Sequence, residues 1–133
     1  MAAIIPGGWL PRDPTMNDDF PTPLMDLTRV KEFATEAAQL RELLESFARS
    51  LVQEMTALKT AYAQGDQEQV HASLHVLKGF MPMFSAPEFA QAMTDLYQQS
   101  RHEGLAPSHK TYTRLTPSLG LLLTEVRAQL GHL

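Results

Sequence analysis

The sequence predicts an all-α protein, an antiparallel bundle of four main helices preceded by a short extra N-terminal helix. Three observations predict it. From Asp26 almost to the end, apolar residues recur at steps of three and four, which places them on one face of a helix. No stretch alternates β-branched residues and no Asn-Gly hairpin turn occurs. Glycines, prolines and capping residues fall between the apolar stripes, where helices stop and start.

The first element is the exception. Five of the nine prolines, Pro6, Pro11, Pro14, Pro21 and Pro23, fall in the first 23 residues together with Gly7 and Gly8. Residues 1–24 read as a proline-rich linker or arm, partly disordered. Trp9, Leu10 and Phe20 are its candidates for docking on the domain over 25–133. Asp26 can cap a short helix carrying Leu27, Val30, Phe33 and Ala34. That helix either continues into the next or breaks near residue 36.

The long second stripe runs Leu40, Leu43, Leu44, Phe47, Leu51, Met55, Leu58 and Tyr62, and stops at Gln64-Gly65. A glycine there can take the left-handed C-terminal position. Asp66 with Gln69 resembles a capping box and opens the helix of Val70, Leu74, Leu77, Met81 and Phe84. Ser85-Ala86-Pro87-Glu88 is the better capping box, ahead of Phe89, Met93, Leu96 and Tyr97. That helix ends at Glu103-Gly104. The last one carries Tyr112, Leu115, Leu119, Leu122, Val126 and Leu130. Pro117 lacks the backbone donor a helix needs, so it either kinks this helix or restarts it.

Composition narrows the function. The chain has 133 residues, enough for one domain with one core. Its net charge is −4 and its isoelectric point about 5.7, unlike the basic footprint of a nucleic-acid binder. There are no cysteines, which excludes disulfides, thiolate metal sites and cysteine nucleophiles. No apolar run reaches the roughly 18 residues of a membrane span. The start lacks a basic region before its short apolar stretch. The expected location is therefore cytoplasmic, by elimination.

Residues 74–85 read LHVLKGFMPMFS. Leu74 and Leu77 point into the core, so His75, about 100° further round, lies beside the stripe and toward solvent. Residues three and four away share its face: His71 and Ala72 before it, Lys78 and Gly79 after it. Pro82 lies two turns on. This grouping suits a phosphorylated imidazole. A neutral imidazole nitrogen is a good nucleophile, and histidine titrates near physiological pH. Lys78 can bring a mobile positive charge to a phosphoryl oxygen. Gly79 removes a side chain where a partner must come close, at a cost of about 1 kcal/mol against alanine in a helix.

His75-Val76-Leu77-Lys78-Gly79 matches the H-x-L-K-G signature of histidine-containing phosphotransfer (HPt) domains. The chain resembles that family over roughly residues 27 to 131, with a long helix, a Gly-Asp turn and then the histidine helix. The resemblance implies an HPt-like four-helix bundle with His75 as phosphoacceptor, Lys78 as electrostatic support and Gly79 opening the docking face. His71, Ala72 and Pro82 would line the partner-docking rim. Such a domain is not an enzyme by itself and has no ATP site. It takes a phosphoryl group from a receiver-domain aspartate and passes it to another receiver. The implied partners are response-regulator receiver domains, which supply the Mg2+; the domain itself binds no cofactor and no metal. The isolated domain is expected to be monomeric. The proline-rich start suggests a module of a larger hybrid sensor histidine kinase, or a free-standing protein with an arm.

The sequence departs from the family after Gly79. Phe80-Met81-Pro82-Met83-Phe84 replaces small or polar residues, and Ser85 stands where a glycine is common. This apolar cluster either repacks the helix end or widens the docking patch. The alternative function is a helical interaction module that binds a signalling partner through the same face without phosphotransfer. His71 and His75 have the i, i+4 spacing of zinc ligands, but no third or fourth ligand is placed near them. His102, His109 and His132 fall at helix ends or loops, where exposure is expected.

Overall fold

The computed structural model describes residues 20–133; Trp9, Leu10 and most of the predicted arm lie outside the described residues. Five helices follow one another: α1 (Leu27–Val30), α2 (Ala37–Gln64), α3 (Gln67–Phe84), α4 (Pro87–Glu103) and α5 (Leu105–Gly131). No strand occurs among the described residues; a single bridge joins Met25 and Ser85. Contacts run in a ring, with α2 on α3, α3 on α4, α4 on α5 and α5 back on α2, while α1 packs on α3. The apolar stripes meet inside that ring. Leu44, Leu51, Leu58, Leu74, Leu77, Met81, Phe89, Met93, Leu96, Leu119 and Leu122 are buried there. Each such side chain stabilises the fold by about 1.5–3 kcal/mol relative to exposure.

Local chemistry explains most helix ends. Asp26 accepts a hydrogen bond from the Arg29 amide at 3.0 Å and caps α1. Gly65 has φ +69°, the left-handed conformation that ends α2, and Gly104 has φ +87° between α4 and α5. Asp66 accepts from the Gln69 amide at 3.1 Å and caps α3. The reciprocal half of the expected capping box does not form, because Gln69 Nε2 donates to Ser73 Oγ at 2.9 Å instead.

Other expectations are corrected. The first two helices are separate, and α1 stops at Val30, which leaves Phe33 outside it and 58% exposed. Ser85 does not cap α4; the N-cap is Ala86, with no side-chain bond. The Ser85 hydroxyl turns back and donates to the Met81 carbonyl at 3.0 Å. It ends α3 instead of starting α4. Pro117 does not restart a helix, since α5 is continuous through it. Its missing N–H leaves the Thr113 carbonyl without the usual donor, and the Thr116 hydroxyl donates to that carbonyl at 2.8 Å.

Residues before Met25 also pack on the helices. Phe20 stands edge-on to Phe89 at 5.1 Å, and Leu24 is fully buried. Residues 24–26 cross the α3–α4 connection, with Asp26 donating to the Phe84 carbonyl and the Ala86 amide to the Leu24 carbonyl, each at 2.8 Å. From the other side the Glu125 carboxylate of α5 accepts from the Leu24 and Met25 amides at 3.1 and 2.7 Å. Two otherwise open donors are thereby satisfied.

Candidate functional site

The residues singled out around His75 all lie on α3. Val70, Ser73, Leu74, Leu77, Met81 and Phe84 are buried, which fixes the rotation of the helix. His75 is consequently exposed, as are Ala72, Gly79 and Pro82, while His71 and Lys78 are half-buried. The helix thus presents an imidazole, a lysine one turn later and a bare backbone beside it. A Cβ placed on Gly79 would meet nothing within 4 Å. No packing constraint of the fold requires glycine there.

His71 is tied down. Its Nε2 donates to the Ser100 carbonyl of α4 at 3.0 Å, so the proton of a neutral ring resides on Nε2. This bond links α3 to α4 one turn before His75. Among the described residues no three His, Asp or Glu side chains gather at metal-binding range.

The neighbour that sequence reasoning did not place at the site is Tyr97 of α4, which reads as a core residue. It is half-buried, and its ring lies 5.5 Å from the His75 ring, tilted by 55°. Lys78 Nζ sits 5.2 Å from the centroid of the same ring. Arg101, one turn along α4, places its guanidinium carbon 5.8 Å from it, and Nη1 donates to the phenol oxygen at 3.1 Å. The i, i+4 spacing of Tyr97 and Arg101 was visible in the sequence. The position of Tyr97 beside His75 depends on how α4 packs against α3.

The apolar segment after Gly79 packs largely inward. Phe84 stacks on Phe47 of α2 with centroids 3.9 Å apart, and Phe80 meets Phe47 edge-on at 5.1 Å. Met83 also packs against the core. These contacts account for Phe80 and Met83 as repacking of the helix end, while Pro82 stays exposed. The remaining histidines, His102, His109 and His132, are exposed, His109 stacking on Tyr62 at 4.6 Å.

No family model matches the chain, and no curated protein or solved structure matches it. No helix among the described residues is long and apolar enough to cross a membrane.

Proposed function

We infer that the protein is a phosphorelay intermediate of the HPt type, an antiparallel four-helix bundle preceded by a short helix, reversibly phosphorylated on His75. The observation that carries this reading is the exposed imidazole of His75, with Lys78 one turn away and an unobstructed Gly79 backbone on the same helix. The H-x-L-K-G sequence at these positions supports it.

In the reaction an imidazole nitrogen of His75 attacks the phosphorus of a receiver's acyl phosphate. A P–N bond forms, the P–O bond breaks and the aspartate carboxylate leaves. The reverse reaction passes the group to a second receiver. Positioning and charge neutralisation supply most of the catalysis in phosphoryl transfer. A nucleophile on a rigid helix therefore suffices if the receiver brings Mg2+ and its acidic pocket. Lys78 contributes positive charge close to the incoming phosphoryl oxygens. ATP has no part in this step, so the chain acts as a carrier and not as a kinase.

The test is transfer from several phosphorylated receiver domains, with Mg2+, to the wild type and to His75→Gln. Acid-labile, alkali-stable label is expected on the wild type and none on the variant. The second reading, an interaction module that docks without transfer, draws on Val76, which is 40% exposed beside His75. Receiver binding that survives His75→Ala, with no label on the wild type, would favour it.

A further inference from the structure

The face around His75 carries more organisation than a lone nucleophile with a nearby lysine needs. Two cations and an imidazole converge on the ring of Tyr97. His75 lies 5.5 Å from it, Lys78 Nζ 5.2 Å and Arg101 Cζ 5.8 Å. Arg101 also donates to the phenol oxygen at 3.1 Å. The π-system of that one ring is the partner the two cationic side chains share. Among the described residues neither cation is paired with a carboxylate.

Contacts of this kind at an exposed site are weak. A phosphoryl group offers much stronger ones, because its oxygens accept charge-assisted hydrogen bonds and match the guanidinium fork in pairs. A dianion appearing on His75 would therefore draw both side chains off the ring. Both have long flexible stems, and both start on the ring that His75 also faces. Lysine and arginine left free in water would first have to be collected, at a cost in side-chain entropy.

We propose that Tyr97, whose ring adjoins His75, is a positioning residue that parks Lys78 and Arg101 and yields them to a phosphoryl group attached to His75. Arg101, on a different helix from the nucleophile, then becomes a second anion-binding group. The proposal rests on the phosphohistidine reading above.

The full chain is tested with phosphoramidate, which needs no receiver. The His75 nitrogen attacks phosphorus, a new N–P bond forms and the P–N bond of the reagent breaks. Ammonia leaves and takes up the imidazole proton as ammonium. Phosphorus NMR follows the phosphohistidine, and proton–nitrogen NMR follows the side-chain signals of Arg101 and Lys78. The wild type should load and His75→Gln should not. On loading, the Arg101 and Lys78 signals should shift and the Arg101–Tyr97 contact should weaken.

Tyr97→Leu and Arg101→Gln should slow loading roughly three- to tenfold, whereas Tyr97→Phe keeps the ring and should stay near the wild-type rate. Arg101 is exposed, so its variant reports even if Tyr97→Leu disturbs packing, and melting curves identify that case. If His75 loads, the two cation signals do not move and Arg101→Gln loads at the wild-type rate, the parking role is overturned and the phosphohistidine reading stands. If neither phosphoramidate nor any receiver loads the wild type, both are overturned.

Discussion

Gly79→Ala separates what the fold needs from what the site needs. Gly79 lies inside α3, is exposed, and does not have a positive φ. A methyl group there would meet nothing within 4 Å. The fold therefore gains nothing from glycine, and the backbone entropy it adds to the unfolded chain is a cost of about 1 kcal/mol relative to alanine. The substitution should stabilise the isolated protein by about that amount, raising the melting temperature by roughly 3–5 °C for a chain of this size. Thermal and urea denaturation of the two proteins measure it directly. A variant that melts lower than the wild type would refute the reasoning, since it would mean that glycine has a structural role at this position. The functional half is independent. If the bare backbone serves close approach of a receiver, the same methyl should slow transfer by about tenfold or more. A stabilised variant that transfers at the wild-type rate would leave glycine unexplained on both counts.

Glu125→Ala removes the carboxylate that accepts from the Leu24 and Met25 amides. It should cost about 2–3 kcal/mol, read as a lower urea midpoint. Hydrogen exchange should quicken at those two amides while the buried turns of α3 stay protected; unchanged exchange there would show that the carboxylate is not what holds the segment. The alkaline limb of stability should depend on Tyr112. Burial, with the neighbouring Tyr62 adding to it, pushes its phenol up to about 12. The unfolded chain loses this proton near pH 10 and the folded chain holds it. Stability is then complete below about pH 10 and falls as the pH rises toward 12, by about 2 kcal/mol in all. Tyr112→Phe should flatten that slope in denaturation curves taken between these pH values, and an unchanged slope would assign the loss to other groups.

The helices were legible because helix formation and helix ends are set by residues close in the chain. The steps of three and four from Leu40 to Leu58 and from Val70 to Phe84 select the buried faces, and those faces are buried. Gly65 and Gly104 end helices because they tolerate positive φ at no steric cost. The outward direction of His75 follows from the same arithmetic, since burying Leu74 and Leu77 leaves no other face for it. The sequence was ambiguous where two local solutions were equally good. Ser85 could cap the helix after it or close the one before it, and the bridge to residues 24–26 accompanies the second choice. Pro117 could kink its helix or restart it; the helix runs on through it, and the Thr116 hydroxyl compensates the carbonyl it leaves open.

The sequence by itself determined which residues form helices, which faces they bury, and that His75, Lys78 and Gly79 share one side of one helix. Tertiary structure alone decided what meets that side. Tyr97 reaches His75, and carries Arg101 with it, because α4 packs on α3 at one particular rotation and height. Glu125 reaches Met25, 100 residues away, because α5 ends beside the entry of the chain. Periodicity fixes the direction of a side chain from its own helix axis. The register between two helices is fixed by the joint packing of both, and no spacing along a single stretch of sequence carries it.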